Sequence, residues 1–324
     1  MRRVPTWMAL VPLLALLWPA GANASAPRLN GFQLDPSDVP VDEILRGGPP
    51  RDGIPALDHP ETLPADQAPW HPEELVLGVE VSGDARAYPI AILNWHELVN
   101  DTVGGEPILI SYCPLCGSGL VFDRRIDGVA RSFGVSGLLY QSDLLLYDRE
   151  SDSLWSQLES KAVTGPARGS RLRVLRSALV PWGTWRSRHP DTRVLSLDTG
   201  YGRDYTQSPY GGYARSDRLY FPAHLDRRYP PKAPTLGLRL ADGTARAFPA
   251  PEILRAGGEI ETKFANRPIR VRYDAAGGTF DVTAPPDVEV IEAYWFAWSA
   301  FHPSASVFVA VEPAAETHGE ETSR

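Results

Sequence analysis

The stretch "LGVEVSGDARAYP", residues 77–89, has a close copy later in the chain, "LGLRLADGTARAFP", residues 236–249. Each copy has alternating residues around a Gly-Asp or Asp-Gly pair, a pattern typical of two strands joined by a tight turn. Self-similarity of this kind indicates a duplicated structural unit. The sequence therefore predicts two tandem, related modules that each open with a β-hairpin.

Two further pairs of segments extend the duplication. "PILISYCPLCGSGLVFD" from Pro107 is echoed by "PIRVRYDAAGGTFD" from Pro268, and a Trp-x-x-Trp-x-x-x-His-Pro pattern occurs at 182–190 and again at 295–303. Indoles three positions apart share one face of a helix, and the His-Pro step stops that helix. We expect two short packing helices at these positions, with the repeated histidines in capping or packing roles.

The repeats divide the chain into six parts. They are a signal peptide (1–24), a proline-rich N-terminal segment (25–74), module one (75–200), a Tyr/Gly-rich linker (201–233), module two (234–312) and an acidic tail (313–324). With 31 prolines and 28 glycines, long helices are disfavoured, so the predicted fold class is mainly β, a β-rich α+β fold with short helices. One such helix is predicted from Pro89 through "IAILNWHELVN", before Gly104-Gly105.

The N-terminus predicts export to the periplasm or the extracellular space. Arg2 and Arg3 precede an apolar run over 7–18, and Ala22-Asn23-Ala24 offers a small-residue cleavage site. The run is too short to cross a bilayer, and no transmembrane segment is predicted elsewhere. Removing residues 1–24 takes away two arginines and changes the formal charge from −8 to −10, so nucleic acid is not an expected partner.

Both cysteines of the chain lie in "SYCPLCGSGLVFDR", residues 111–124. In the second copy, "DAAGG" at 274–278 replaces the Cys113–Cys116 stretch, so the cysteines are predicted to lie on a hairpin turn. A thioredoxin-type dithiol lies instead at a helix N-terminus. Cys-Pro-x-Cys-Gly on a turn is similar to a zinc or rubredoxin knuckle. A metal site, an electron-exchanging dithiol and a small structural disulfide all remain open.

A metal site needs a third ligand, and His96 is the candidate. It lies just before the cysteine strand and has no counterpart in module two. The hypothesis is a Cys2His site for copper or zinc formed by His96, Cys113 and Cys116, with a fourth position open to water, substrate or a partner's donor group. The alternative for His96 is a half-buried residue hydrogen-bonded near Trp95.

Two other functions compete with metal binding or metal delivery. In the first, Cys113 and Cys116 are catalytic in thiol–disulfide exchange with a redox partner protein, and Cys113 is the more exposed, attacking sulfur. In the second, the duplicated fold is a non-catalytic binding module. The metal-delivery hypothesis implies a protein partner that gives or accepts the ion.

Polar residues in the block 133–157, which module two lacks, are candidates for a pocket beside the cysteines. Within it, Asp143 is expected to hydrogen-bond to His96 and orient that ligand, with Ser142 next to it. The alternative is that this pair only forms a turn. The segment 203–217 is either a surface linker or a loop folded over the pocket.

Four long stretches of this chain resemble a family of bacterial exported proteins, domain of unknown function family 3179. They are "ARAYPIAILNWHELVNDTVGGEPILISYCPLCGSGLVFDR", "FGVSGLLYQSDLLLYDRESDSLWSQ", "WGTWRSRHPDTRVLS" and "DYTQSPYGGY". The resemblance covers nearly all of the chain after the signal peptide. It implies no established reaction, and it marks His96, Cys113, Cys116 and the block 133–157 as family motif.

Overall fold

A computed structural model describes residues 27–311 of the protein. The predicted signal peptide (1–24) and acidic tail (313–324) lie outside the described residues. Within the described part the fold is mainly β, as predicted, with short helices only. None of these helices is long and apolar enough to span a membrane.

The strands up to the cysteine turn are short at first and then form longer hairpins. They are β1 (Arg28–Leu29), β2 (Phe32–Gln33), β3 (Ile44–Arg46), β4 (Leu57–Asp58), β5 (Thr62–Pro64), β6 (Leu75–Val81), β7 (Asp84–Pro89), β8 (Leu98–Val103) and β9 (Glu106–Cys113). Helix α1 (Ile90–His96) lies between β7 and β8, and single 3-10 turns occur at Val41–Glu43 and Ala65–Gln67.

The central part of the chain continues from the cysteine turn to a second helix. Its strands are β10 (Ser118–Asp123), β11 (Arg125–Ile126), β12 (Val129–Ala130), β13 (Phe133–Tyr140), β14 (Asp143–Asp148), β15 (Leu154–Ser156), β16 (Lys161–Ala162), β17 (Arg173–Leu175), β18 (Ser177–Pro181) and β19 (Arg193–Leu195). Helix α2 (Trp182–Arg188) lies between the last two.

After a stretch that contains only the 3-10 turn Tyr213–Arg215, the last part adds seven strands and two helices. The strands are β20 (Pro234–Arg239), β21 (Ala245–Pro249), β22 (Glu259–Phe264), β23 (Arg267–Asp274), β24 (Thr279–Thr283), β25 (Glu289–Tyr294) and β26 (Ser306–Val307). Helix α3 (Ala250–Arg255) follows β21, and α4 (Trp295–Phe301) follows β25.

The largest sheet joins both halves of the chain. Its nine strands run β26-β21-β20-β25-β10-β9-β8-β4, with β17 also beside β10, and the halves meet where Gly119 of β10 lies opposite Glu292 of β25. Two five-stranded sheets have the orders β16-β15-β14-β13-β3 and β18-β6-β7-β19-β5. A three-stranded sheet, β22-β23-β24, and the pairs β1-β2 and β11-β12 complete the arrangement.

The order hairpin, helix, three strands occurs twice, as β6-β7-α1-β8-β9-β10 and as β20-β21-α3-β22-β23-β24. Each Trp-x-x-Trp segment is a helix, and its second indole packs on the glycine of a hairpin strand. A Cβ on Gly78 would lie 2.3 Å from the Trp185 ring, and one on Gly237 would lie 1.9 Å from the Trp298 ring. This close approach accounts for the Leu-Gly step that begins both quoted stretches. His189 and His302 pack on the same two indoles, as expected.

The helix predicted through residue 100 is shorter than expected. It ends at His96, because Glu97 has a left-handed backbone with φ of 57°, and residues 98–103 form β8. Leu98, Val99 and Val103 of that strand are fully buried, and the strand pairs along its whole length with β9. Strand pairing and burial therefore prevail over the local helical pattern.

Candidate dithiol and carboxylate site

The two cysteines lie at a hairpin turn, which confirms the prediction made from the second copy. Cys113 ends β9 and pairs with Ser118, the first residue of β10, and the amide of Cys116 donates to the Cys113 carbonyl at 3.1 Å. Gly117 has φ of 59°, and a Cβ there would lie 2.8 Å from the Tyr294 ring. Only glycine meets both the backbone and the steric demand at this position.

Asp143 reaches the cysteines from a second hairpin. Gln141 and Ser142 both have positive φ, 51° and 63°, and form the two-residue turn between β13 and β14. This turn places Asp143 at the start of β14, where one of its carboxylate oxygens and the Cys113 and Cys116 sulfurs all lie within 4.8 Å of one another. All three side chains are buried, with at most 1% of each residue exposed.

The hydrogen bonds of this cluster leave one oxygen without a partner. The amide of Leu158 donates to Asp143 Oδ2 at 3.2 Å, and Cys116 Sγ donates to the carbonyl of Ser142 at 3.5 Å. Asp143 Oδ1 is buried and has no hydrogen-bond partner among the described residues. A buried polar atom of this kind is costly unless something else satisfies it.

Burial dominates the electrostatics of the cluster. It raises the pKa of both cysteine thiols and raises the pKa of the Asp143 carboxyl to about 7. Glu97 is buried nearby, and burial raises its pKa to about 7 as well, against the hydrogen bond that Tyr210 donates to it at 2.8 Å. The charges that act on the Cys113 sulfur come from Asp143 and Glu97, both acidic. Protons on these two thiols and two carboxyls, or a cation bound among them, would offset the cost of burying their negative charges.

The structure does not bring His96 to the sulfurs. Its Nδ1 lies 2.8 Å from the Pro55 carbonyl oxygen, and its Nε2 lies 2.7 Å from the Tyr205 hydroxyl. Both ring nitrogens are thus engaged, and burial lowers the pKa of the ring. His96 points away from the sulfurs because α1 ends there. Glu97, the next residue, has a left-handed backbone that turns the chain, and its charge raises the pKa of Cys113. Asp143 is likewise not a hydrogen-bond partner of His96.

A segment that we call the strap, residues 201–223, folds over the cysteine turn. Its hydrogen bonds join Tyr205 to His96, Tyr210 to Glu97, Tyr213 to the Leu115 carbonyl (3.1 Å) and the Phe221 carbonyl to the Ser142 hydroxyl (2.7 Å). Of the two interpretations of residues 203–217, these contacts agree with the loop folded over a pocket. Cys113 was expected to be the more exposed of the two sulfurs, but both cysteines are buried, with 1% and 0% of each residue exposed, because the strap and Tyr294 cover the turn.

Two candidate functional residues, Glu97 and Tyr210, were not predicted from the sequence. Buried Glu97 and partly buried Tyr210 form a carboxyl–phenol pair beside the cysteines. The available signal for Glu97 was its position as a charged residue within an apolar stretch, directly after His96. Tyr210 carried no such signal, because its partner is 113 residues away in the chain.

Comparisons with known proteins gave one match. The family model described as "Protein of unknown function (DUF3179)" matches residues 51–286, a range that includes the cysteine turn, Asp143 and the strap. No curated protein and no solved structure matches the chain.

Proposed function

We propose that this chain, which belongs to the DUF3179 family of proteins of unknown function, binds a transition-metal ion through Cys113, Cys116 and Asp143. The observation that carries the proposal is the unpartnered, buried Asp143 oxygen in a cluster whose other members are two thiols. A divalent cation satisfies that oxygen, and it supplies the positive charge that neighbouring acidic groups do not.

The donor set favours zinc. Zn²⁺ accepts thiolate sulfur and carboxylate oxygen together, whereas Cu⁺ prefers sulfur-rich sets. Copper is the second candidate. The proposal keeps both cysteines of the Cys2His hypothesis and replaces His96 by Asp143. Three protein ligands leave one position for water or a substrate, which is the arrangement of catalytic rather than structural zinc sites.

Metal analysis tests the proposal. The protein is purified anaerobically with its thiols reduced, loaded with Zn²⁺ and assayed for bound zinc and copper by mass spectrometry, with competition against a chromophoric chelator. We expect close to one zinc per chain. Cys113→Ser abolishes tight binding, and Asp143→Asn weakens it by roughly 10–100-fold.

His96→Gln is the matched control, because it removes the ligand first predicted from the sequence. It keeps full zinc affinity if Asp143 is the third ligand. Circular dichroism on each variant separates lost binding from lost folding. A wild-type protein that holds neither zinc nor copper refutes the proposal. Loss of metal in His96→Gln with retention in Asp143→Asn refutes the ligand set and restores the Cys2His hypothesis.

Thiol–disulfide exchange is the second candidate function. The two sulfurs are free and lie close to each other. Burial under the strap, however, hinders in-line attack by a protein thiol. Rapid, metal-independent turnover of a small disulfide by the reduced protein supports this function, and a reduction potential below about −300 mV excludes it.

Export belongs to the same proposal. An oxidising compartment threatens a close pair of thiols, and a bound metal protects them from disulfide formation. Mass spectrometry of protein recovered from the periplasm or medium tests this location. A mature chain that begins near Ser25 is expected, and an intact chain that stays in the cytoplasm contradicts it.

A further inference from the structure

A cavity of about 430 Å³ lies beside the cysteine turn. Leu115, between the two cysteines, and Leu144, next to Asp143, both line it. The cavity therefore lies beside the cysteine turn and the start of β14, the two segments that carry the proposed metal ligands. Its volume falls within the range of small-molecule sites, which are mostly apolar with a few polar groups.

Six segments form the walls of the cavity. They are the loop 47–54, the end of α1, the cysteine turn, strands β13 and β14 and the strap, and the apolar lining includes Ile54, Leu115, Val135, Leu139, Leu144 and Phe221. Strand β13 carries a bulge between Val135 and Leu138. At Gly137 in that bulge φ is 71°, and a Cβ would lie 2.2 Å from the Pro49 carbonyl oxygen. The bulge turns the strand locally, as bulges beside functional sites do, and so shapes the wall.

Aromatic residues complete one side of the cavity and are held in place. The Trp95 indole donates to the Gln207 carbonyl at 2.9 Å, and the Tyr210 ring is fixed by its bond to Glu97. Tyr220 and Phe221 lie in the same lining. Ring faces held in this way favour a flat aromatic ligand.

The cavity has one buried polar group, the Glu97 carboxyl, and a cation at its lining. Among residues 27–311, Tyr210 is the one side chain that donates to this carboxyl, through Oε1, which leaves the other oxygen for a ligand. Arg203 lies 5.3 Å from the centroid of the Trp95 ring. The Arg203 guanidinium disfavours a cationic ligand, and the Glu97 and Asp143 carboxyls disfavour an anionic one.

We propose that this cavity binds a neutral aromatic molecule whose hydroxyl group hydrogen-bonds to the free oxygen of Glu97. The site requires the cavity and Glu97 but no metal ion. Failure of the metal-binding proposal would therefore not refute this one, and failure of this one would not refute metal binding.

Isothermal titration calorimetry with 2-naphthol tests the proposal on the reduced, metal-free protein. Saturable binding at one molecule per chain is expected. The probe 2-methoxynaphthalene has the same rings without a hydroxyl donor, and it binds at least about tenfold more weakly. Leu139→Trp fills the cavity and abolishes binding, while Leu254→Trp, at an exposed position, leaves it unchanged. The Cys113→Ser/Cys116→Ser double variant still binds.

Three results overturn the proposal. One is no saturable binding of 2-naphthol to the wild-type protein up to millimolar concentration. Another is equal affinity for the two probes, which removes the role of Glu97. The third is unchanged binding in a folded Leu139→Trp variant, which places the probe elsewhere. Val135→Phe fills the cavity from the same strand and replaces Leu139→Trp if that variant does not fold.

Discussion

Asp143 and Cys116 lie side by side in the protein interior, with a carboxylate oxygen and a sulfur within 4.8 Å of each other and no water-exposed surface of consequence on either. They come from two different hairpins, one ending at the cysteine turn and the other at the Gln141–Ser142 turn. Burial disfavours the charged form of both groups, and the Asp143 charge raises the pKa of Cys116 further, whereas the Leu158 amide and the neighbouring thiols lower the pKa of the Asp143 carboxyl. A cation bound between the two groups would stabilise the charged form of both.

The first prediction concerns thiol reactivity without metal. Burial and the acidic neighbours raise the pKa of both thiols, so alkylation by iodoacetamide at pH 8 should be at least about 100-fold slower than for a free cysteine. Asp143→Asn removes a negative charge and should speed the reaction. The exposed Asp127→Asn is the matched control and should leave the rate unchanged. Equal rates for Asp143→Asn and wild type would contradict the assigned electrostatics.

The second prediction concerns the knuckle glycine. Gly117→Ala introduces a Cβ against the Tyr294 ring at a left-handed position, whereas Gly278→Ala, in the corresponding turn between β23 and β24, meets open space at φ of 66°. Both variants lose about 1 kcal/mol from backbone conformation. Gly117→Ala should lose an additional 1–3 kcal/mol, roughly the cost of overpacking. Urea unfolding of both reduced, metal-free variants measures the difference, and equal losses refute the steric argument.

The third prediction concerns the strap. Lys232 is buried, and its ammonium group donates to the carbonyls of Tyr213, Ser216 and Arg218. Lys232→Met leaves these carbonyls without their donor, so the strap should open more often. Hydrogen exchange should be faster by about tenfold or more for amides in 205–218, with little change in the β9–β10 hairpin. Lys263→Met, at an exposed position, is the control. If amides 205–218 exchange at the wild-type rate in both variants, Lys232 does not hold the strap.

The fourth prediction is a pH dependence at Glu292 of β25, which lies opposite Gly119 of β10. Glu292 lines a groove with Glu80, Arg176, Arg188, His189 and Asp281, and burial raises its pKa to about 8, against hydrogen bonds from the Leu179 and Phe280 amides. The folded state keeps this proton up to about pH 8, while the unfolded chain releases it near its ordinary pKa of 4.5. Stability should therefore fall as pH rises between these values.

Urea unfolding at pH 5 and pH 8.5 measures this effect. The free energy of unfolding of the wild-type protein should decrease from pH 5 to pH 8.5, and in Glu292→Gln this decrease should be smaller by about 1–2 kcal/mol. The value is reduced for solvent screening because Glu292 is partly exposed. Glu261→Gln, at an exposed position, should behave as wild type. A pH dependence that survives in Glu292→Gln assigns the effect to another group.

Several features of the fold were readable because they depend on neighbours in the sequence. Alternation around Gly-Asp and Asp-Gly predicted hairpins that exist as β6-β7 and β20-β21. The comparison of 113–116 with 274–278 predicted that the cysteines occupy a turn, and the Trp-x-x-Trp spacing predicted α2 and α4. Local backbone geometry and periodic burial are sufficient for each of these.

The mainly β fold and the two sulfurs on one hairpin turn could be predicted from the chain alone, because turn chemistry and strand periodicity act over a few residues. Which third group lies beside those sulfurs depends on how distant segments pack together. His96, 17 positions before Cys113, is turned away by the left-handed backbone at Glu97, and Asp143, 27 positions after Cys116, is brought in by packing between two hairpins. Such a choice depends on long-range burial and on the end of one short helix, and neither leaves a periodic pattern in the chain.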